Sequence, residues 1–355
     1  MTPHSAKDTA ERTALVAGGA GFLGSHLTEL LIRKGWRVVA LDNLQTGSTA
    51  NLSRLAKESR FSFIEHDVIE PLPSSLKADR VFNLACAASP PRYQADPVHT
   101  MMTSVLGTKH LLDVAERSGG VFVQASTSEV YGDPDQHPQR EDYWGNVNTT
   151  GPRACYDEGK RAAEALCFDY LRLGKADVRV ARIFNTYGPR MQPDDGRIVS
   201  NLICQALSGK PLTIYGTGEQ TRSFCYVSDL VDGMWRLSDV ADNPGGPVNL
   251  GNPGEFTINE LAALVLAMTR GSSPIVHQAL PQDDPRRRRP DISRAEAVLG
   301  WSPKVQLAKG LPPTIAWFDK MIAAARPVVE TPPKRVRAGG RVPALAAAPA
   351  AAPKA

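Results

Sequence analysis

The chain has 355 residues, of which 42% are hydrophobic and 22% charged, a composition typical of a globular protein. This composition excludes a disordered chain, a collagen-like fibre and a disulfide scaffold, and the length suffices for roughly two domains. The formal net charge is +4, but residues 326–355 hold six basic side chains against Glu330 alone, so the rest of the chain is nearly neutral. We therefore expect no nucleic-acid partner.

The five cysteines are widely spaced, with no CxxC pair and no histidine cluster near them. This spacing favours neither a disulfide framework nor a metal site, so we expect reduced thiols and no metal. No apolar run reaches the ~18 residues that a membrane span requires, and the polar first residues do not resemble a signal peptide. We therefore expect a cytoplasmic protein without a membrane partner.

Short β-branched runs alternate with helical patterns through the first half of the chain. The predicted elements are strands over 13–17, 37–41, 61–65, 80–85, 121–125 and 178–183, and helices over 22–34, 97–117 and 153–173. This alternation predicts an α/β fold with a Rossmann-type, doubly wound parallel sheet.

After Pro189 the alternation weakens, and we predict a smaller, interleaved C-terminal domain. Strands are expected over 212–215 and 248–250, and helices over 257–268 and 308–324. Both ends are polar or Pro/Ala-rich and are expected to be disordered. The predicted organisation is a disordered N-terminus over 1–11, a Rossmann domain over 12–188 with return elements around 225–250, a second domain over 189–224 and 251–325, and a disordered basic tail over 326–355.

Gly18, Gly21 and Gly24 form a GxxGxxG motif between the first predicted strand and the first predicted helix. Glycines at these positions allow a tight turn and let the backbone approach a pyrophosphate, which the N–H groups of the helix N-terminus then bind. The motif therefore predicts dinucleotide binding. The alternative interpretation is a simple glycine-rich turn.

Asp42 ends the second predicted strand, 18 residues after Gly24. A carboxylate at this distance is expected to accept hydrogen bonds from the adenosine ribose hydroxyls, although it could instead cap a helix. Residues 43–45 contain no Arg or Lys that would bind a 2′-phosphate. We therefore predict NAD, rather than NADP, as the cofactor.

Tyr156 and Lys160 are separated by one helical turn in the predicted helix over 153–173. A phenol has an ordinary pKa of about 10 and is a poor base at neutral pH unless a cation stabilises the phenolate. Lys160 is expected to supply that cation and to hold the nicotinamide ribose. The alternative is an ordinary surface pair of the kind common on helices.

These motifs are continued by further segments that carry a family resemblance. The segments are 125–134 (ASTSEVYGDP), 141–145 (EDYWG), 151–160 (GPRACYDEGK), 182–190 (RIFNTYGPR) and 226–230 (YVSDL). With them, the chain resembles the extended short-chain dehydrogenases/reductases that act on nucleotide sugars, and among these the UDP-glucuronate decarboxylases, from about residue 12 to about residue 320.

The resemblance implies that Thr127, Glu129, Tyr156 and Lys160 are catalytic. It also implies an enzyme that oxidises C4 of UDP-glucuronate transiently with NAD, releases CO₂ and yields UDP-xylose. Related 4,6-dehydratases generally pair Asp with Glu in this strand and 4-epimerases carry small residues, whereas here Ser128 precedes Glu129. The alternatives are a nucleotide-sugar 4-epimerase or 4,6-dehydratase, and a non-catalytic dinucleotide-binding regulator.

The expected binding residues fall into two groups. For the cofactor they are Gly18, Gly21, Phe22, Leu23, Gly24, Asp42, Asn43, Thr46, Gly47, Asp67, Val68, Leu84, Ala85, Tyr156 and Lys160. For the substrate the resemblance implies Asn185, Arg197, Tyr215, Arg222 and Arg288.

Arg288 resembles the active-site arginine near the sugar carboxylate in these relatives and is also expected to be catalytic. It stands in the run Arg286 to Arg289, which could instead be a nucleic-acid patch or a solvated turn. Because relatives are usually dimers through the long helices over 97–117 and 153–173, the resemblance also implies a homodimer.

Overall fold

The computed structural model describes residues 12–280 and 287–325. Its strands, in chain order, are β1 (Thr13–Ala17), β2 (Arg37–Asp42), β3 (Phe61–Glu65), β4 (Arg80–Asn83), β5 (Val121–Thr127), β6 (Asp177–Ile183), β7 (Thr186–Tyr187), β8 (Leu212–Tyr215), β9 (Thr221–Ser223), β10 (Cys225–Tyr226), β11 (Val248–Leu250), β12 (Glu255–Thr257), β13 (Ile275–Gln278) and β14 (Arg287–Arg288).

Seven of these strands form a parallel sheet in the order β11-β6-β5-β4-β1-β2-β3. The strand order reverses between β1 and β4, and ligands of such sheets bind where the carboxyl ends of the strands diverge at this reversal. The remaining strands form small sheets, of which one has the order β12-β9-β14. The predicted Rossmann-type α/β fold is therefore confirmed.

The helices connect the strands. They are α1 (Phe22–Arg33), α2 (Pro90–Tyr93), α3 (Pro97–Met102), α4 (Thr108–Ser118), α5 (Ala154–Arg172), α6 (Ile198–Leu207), α7 (Val227–Asp239), α8 (Ile258–Thr269), α9 (Ser293–Leu299) and α10 (Leu307–Ala325), with 3₁₀ turns over Thr49–Leu55 and Ser128–Tyr131. Four of the five predicted helices lie within one residue of their predicted bounds, whereas four further helices of the described residues were not predicted. Within the part of the chain that the structure describes, no helix combines the length and apolar character that a bilayer crossing needs.

One predicted helix differs from its prediction. The pattern over 97–117 indicates a single helix, but a π-helical segment over Thr103–Gly107 separates α3 from α4. Gly107 lies directly against Val68, since a Cβ atom on this glycine would be only 2.5 Å from Val68 Cγ2. The extra residue of a π turn accommodates such close packing without breaking the helix, and these turns are frequent at functional sites.

Apolar clusters pack the helices against the central sheet. Leu15 and Val16 of β1 point to opposite faces, Val16 into a cluster with Leu27 of α1 and Met234 of α7, and Leu15 into a cluster with Leu112 of α4. All five side chains are fully buried. The alternation of neighbouring strand residues therefore buries both faces of the sheet, as a parallel sheet requires.

A further cluster lies in the second half of the chain, where Leu202 of α6, Leu261 of α8 and Phe318 of α10 are fully buried together. Strand β11 also comes from this half but completes the central sheet beside β6. The division into two domains stays a prediction. Residues 1–11 and 326–355, for which disorder is predicted, lie outside the described residues.

Candidate active site

A cavity of about 650 Å³ lies at the carboxyl ends of the central strands, between the sheet and the second half of the chain. Its size is that of a small-molecule site. Of the predicted site residues, it is lined by Gly18, Gly21, Phe22, Leu23, Gly24, Asp42, Asn43, Thr46, Asp67, Val68, Leu84, Ala85, Thr127, Glu129, Tyr156, Lys160, Asn185, Arg197, Tyr215, Arg222 and Arg288.

The glycine motif forms a cradle in which side chains would collide with the backbone. Gly18 has φ +75°, and a Cβ atom on it would be 2.6 Å from the carbonyl oxygen of Leu84. A Cβ atom on Gly24 would be 2.0 Å from the carbonyl oxygen of Gly18. Helix α1 begins directly at this turn, so its first amides border the cavity. The cradle therefore fits the pyrophosphate of a dinucleotide.

Asp42 is held in position by backbone amides. Its carboxylate accepts hydrogen bonds from Ala20 N at 3.0 Å and Leu44 N at 2.8 Å. Burial raises the pKa of Asp42 despite these bonds. Gly47 is also predicted to bind the cofactor, but it does not line the cavity. It packs against the Asp42 carboxylate, since a Cβ atom on Gly47 would be 2.7 Å from Asp42 Oδ1.

This position of Asp42 leads to a prediction about the cofactor. Asp42→Ala is expected to narrow the preference for NAD over NADP by roughly 10-fold, because a hydrogen bond to a charged group contributes about 1.5–3 kcal/mol. Titration of both cofactors into both proteins measures the preference, and thermal unfolding checks that the variant is folded. Equal affinities of the unmutated protein for NAD and NADP would contradict the role assigned to Asp42.

Tyr156 is buried at the start of α5, with its ring stacked on that of Tyr93. The ring centroids are 4.9 Å apart and the planes differ by 5°. Thr127, at the end of β5, lies beside the Tyr156 hydroxyl and acts to lower its pKa. Lys160 donates a hydrogen bond to the Ala125 carbonyl oxygen at 3.0 Å. The Tyr93 ring and the neighbouring Thr127 hydroxyl therefore hold the Tyr156 side chain in position.

The expected effect of Lys160 on Tyr156 differs from what the structure shows. Burial, reinforced by Cys86 and Glu129, raises the pKa of Tyr156 above its ordinary value. The Lys160 ammonium lies 5.8 Å from the centroid of the Tyr156 ring and is directed to the backbone of β5. In this arrangement Tyr156 holds its proton firmly.

Glu129 lies between two guanidinium groups. Arg288 donates to both of its carboxylate oxygens, at 2.5 and 2.8 Å, and Arg153 donates at 2.7 Å. Burial alone would raise the pKa of Glu129, but the charges of Arg288 and Arg153 outweigh it and lower that pKa to about 2. Glu129 is therefore ionised at neutral pH and is not a proton donor while both arginines hold it. We call Arg153, Glu129 and Arg288 the carboxylate cluster.

The structure also distinguishes between the consecutive arginines. Arg288 is only 4% exposed and faces the cavity, whereas Arg287 is exposed. Arg289 is turned to Glu255, 3.5 Å away, and its backbone amide donates to Gln139. Alternation along β14 therefore directs one guanidinium inward. Arg286 lies outside the described residues.

The other substrate residues implied by the resemblance also line the cavity, and Arg222 of β9 is the register partner of Arg288 of β14. Arg197 forms an ion pair with Asp195 at 2.5 Å and stacks its guanidinium over Phe22, 5.9 Å from the ring centroid. Arg222 is largely buried and donates to the Thr221 carbonyl oxygen. Two fixed guanidinium groups suit a diphosphate. Their role in substrate binding stays a prediction.

Four residues near the predicted site were not expected from the sequence. They are Tyr93, His99, Arg153 and Asp157. Arg153 and Asp157 flank Tyr156 within the quoted segment, so a search of one helical turn around Tyr156 would have found them. His99, which bonds Asp67 at 2.8 Å, and Tyr93 come from α3 and α2, and no local pattern indicates either contact.

Comparison with known proteins first defines the class. Residues 14–251 match the model of the NAD dependent epimerase/dehydratase family. The matched range contains the glycine cradle and Tyr156.

Individual relatives are more specific. The chain is 52% identical to UDP-glucuronic acid decarboxylase 1 of Arabidopsis thaliana over 308 residues, which cover 87% of this chain and 70% of the relative. It is 51% identical to UDP-glucuronic acid decarboxylase 1 of Danio rerio, over 86% of this chain and 72% of that relative. Among solved structures, UDP-glucuronic acid 4-epimerase of Bacillus cereus, in complex with UDP-glucuronic acid and NAD, has a TM-score of 0.80 at 29% identity, over 87% of this chain and 99% of the other. The chain therefore belongs to the NAD-dependent epimerase/dehydratase family and, within it, to the UDP-glucuronic acid decarboxylases.

Proposed function

We propose that this protein converts UDP-glucuronate to UDP-xylose and CO₂ with NAD as a tightly held cofactor. The observation that carries the proposal is the carboxylate cluster, which brings two buried guanidinium groups to the cavity that contains Tyr156. A guanidinium group is suited to hold the carboxylate of a uronic acid. Identity of about half with decarboxylases from a plant and a fish supports the same activity.

The cofactor fits the residues at the sheet reversal. The cradle of Gly18, Gly21 and Gly24 would hold the pyrophosphate, Asp42 the adenosine ribose and Lys160 the nicotinamide ribose. When bound there, NAD would supply the reversible hydride transfer at C4 of the sugar. The rest of the chemistry falls to side chains of this chain.

Tyr156 and Thr127 act on the sugar C4 oxygen. To act as a base, Tyr156 must first lose its own proton, which the positive charges of bound NAD and of Lys160 would favour. Its phenolate then accepts the proton of the C4 hydroxyl as C4 becomes a ketone, which makes the sugar a β-keto acid. The bond from C5 to the carboxylate then breaks, CO₂ leaves, and its electron pair forms an enolate. Hydroxyl donors such as Tyr156 and Thr127 stabilise the enolate oxygen. A proton added at C5 completes the pentose, and Tyr156 returns its proton when C4 is reduced.

Epimerisation at C4 is the competing reaction, because a structural neighbour is a UDP-glucuronic acid 4-epimerase. Incubating the purified protein with UDP-glucuronate distinguishes the two reactions. We expect UDP-xylose and CO₂. A C4-epimerised uronic acid without CO₂ would overturn the proposal, and binding of NAD without any turnover would favour the non-catalytic alternative.

Isotope labels test whether the hydride removed from C4 returns to C4 within the same site. Deuterium at C4 of UDP-glucuronate is expected to remain at C4 of UDP-xylose, and reaction in heavy water is expected to place one deuterium at C5. Both positions are measured by NMR of the product. Loss of the C4 label to solvent, or formation of stoichiometric NADH, would contradict the closed cycle but not decarboxylation itself.

We also propose that the protein is a cytoplasmic homodimer. Support for the dimer comes from exposed apolar side chains on or beside the helices expected to form it: Val98 and Leu173 are 70% and 69% exposed, and Leu106 is 40% exposed. Support for the location is the absence of a disulfide pattern in the cysteine spacing. Analytical ultracentrifugation tests the oligomeric state, and a monomer at micromolar concentration would contradict it.

A further inference from the structure

Asp157 is a buried acid that the proposed reaction does not use. It follows Tyr156 on α5 and is 6% exposed. Among the described residues, its buried Oδ1 atom has no hydrogen-bond partner. A carboxylate without a partner is costly to bury, whereas a neutral carboxyl group is far less so. This environment therefore favours the protonated form of Asp157.

The carboxylate cluster acts on Asp157 with charges of both signs. Glu129 adds a negative charge, while Arg153 and Arg288 add positive ones. Burial first and the charge of Glu129 second raise the pKa of Asp157 to about 7, against the opposing effect of the two arginines. Asp157 therefore changes its charge close to physiological pH.

Most other titratable groups near α5 are engaged with partners, and the exception is Tyr93, whose buried hydroxyl has no hydrogen-bond partner among the described residues. On α5 itself, Glu158 also acts on Asp157, and Lys160 is bonded to the backbone of β5. The neighbouring elements contribute Tyr93 of α2, His99 of α3 paired with Asp67, Arg182 of β6 paired with Glu164, and Asp113 of α4 bonded to Tyr170. Tyr93 remains neutral, because burial raises its pKa further. Asp157 is thus a buried carboxyl group of this region whose charge is expected to change around neutral pH.

The charge of Asp157 decides the net charge of the cluster and Asp157 taken together. With Asp157 neutral, two arginines and Glu129 leave one net positive charge. With Asp157 ionised, the net charge is zero. UDP-glucuronate brings one carboxylate to this end of the cavity, whereas UDP-xylose carries the same diphosphate and no carboxylate.

We propose that Asp157 is a specificity-determining residue whose neutral form leaves one positive charge in the carboxylate cluster and so selects an acidic sugar over a neutral one. The inference rests on the proposed function. Asp157 acts on the substrate through the charges of Arg153 and Arg288. It is therefore a positioning residue and does not contact the substrate. By linkage, binding of UDP-glucuronate favours the protonated form of Asp157 and takes up a proton above neutral pH.

Binding measurements as a function of pH test this role. To prevent turnover, Tyr156→Phe serves as the background, and NAD is present throughout. The dissociation constant of UDP-glucuronate is expected to rise at least roughly 10-fold between about pH 6 and pH 8.5, because losing one unit charge at an effective dielectric near 20 has an effect of this size even at a separation of roughly 12 Å. The dissociation constant of UDP-xylose is expected to stay constant over the same range.

Asp157→Asn in this background keeps the shape of the side chain but cannot ionise. It is expected to bind UDP-glucuronate with no pH dependence above pH 6, and therefore more tightly at pH 8.5 than the protein with Asp157. Misfolding would not produce this gain in affinity. Calorimetry in buffers of different ionisation enthalpy is expected to show proton uptake on binding to the protein with Asp157 and none on binding to the Asp157→Asn variant.

The matched control is Glu158→Gln, which removes a carboxylate from the next position of α5. In this variant, the dissociation constant of UDP-glucuronate is expected to keep the pH dependence of the Tyr156→Phe background. The same pH dependence in Asp157→Asn, or its loss in Glu158→Gln, would overturn the role of Asp157. The proposed function is tested separately, since absence of CO₂ from the unmutated enzyme would refute decarboxylation whatever Asp157 does.

Discussion

Tyr156→Phe is expected to lower kcat for decarboxylation by about 10²–10⁴-fold, the usual contribution of a positioned acid–base group. The variant removes only the hydroxyl beside Thr127, while the ring can keep its stacking on Tyr93 at 4.9 Å. The fold and the affinity for NAD should therefore remain unchanged. Rates of UDP-xylose formation and a titration with NAD measure the two properties.

A matched control is Tyr170→Phe, which removes a phenol oxygen at the other end of α5. Tyr170 bonds Asp113 at 2.7 Å and does not line the cavity. Its variant is expected to keep kcat unchanged, because Tyr170 lies outside the cavity, and to lose only about 1 kcal/mol of stability with the hydrogen bond. Retention of most activity in Tyr156→Phe would mean that another group accepts the C4 proton.

Arg288→Ala is expected to have the second-largest effect, because it acts on both stability and catalysis. It leaves buried Glu129 with Arg153 as its remaining ion-pair partner in the cluster. Removing one member of a buried ion pair costs about 3–5 kcal/mol. We expect the free energy of unfolding to fall by an amount near the lower end of that range, since Arg153 still pairs with Glu129. We also expect kcat/KM to fall by at least roughly 10²-fold, as when an active site loses one positioned hydrogen-bond donor.

Urea denaturation and steady-state kinetics measure the two effects of Arg288→Ala. Adding Glu129→Gln should restore part of the free energy of unfolding without restoring activity, because it removes the unpaired charge but not the lost guanidinium. Arg287→Ala, at the exposed neighbouring position, is the control and should change neither. Full activity in Arg288→Ala would exclude this arginine from the site.

The pH dependence of stability follows from the same cluster. The pKa of Glu129 is lowered to about 2, so its contribution to stability is complete above its ordinary value of 4.5 and is lost as the pH falls towards 2. The difference in stability between the unmutated protein and Glu129→Gln should therefore shrink in acid.

The sequence predicts well those features that depend on residues close together in the chain. Strand β1 and helix α1 follow from a β-branched run, a glycine turn and an amphipathic pattern, and each begins at the predicted residue. The π segment over Thr103–Gly107 could not be predicted, because it depends on how closely Gly107 approaches Val68, a residue of another part of the chain.

The same distinction applies to the site. Glu129 and Arg288 could be named from sequence segments, but their mutual ion pair joins the turn after β5 to β14 and leaves no local pattern. The position of Lys160 one turn away predicts a lowered pKa for Tyr156, yet spacing along a helix says nothing about the burial that raises it. Local pattern thus identifies side chains, while their protonation depends on the folded surroundings.

Strand β11 has a practical consequence for chimeric enzymes. Residues 248–250 complete the central sheet beside β6, although they follow α6 and β8 in the chain. Exchanging everything after residue 188 with a relative of different sugar preference would therefore also exchange an edge strand and its packing against β6. A graft that transfers 189–224 and 251–325 but retains 225–250 keeps the parental sheet intact, and recombination at several points, rather than one, is the route to a folded hybrid.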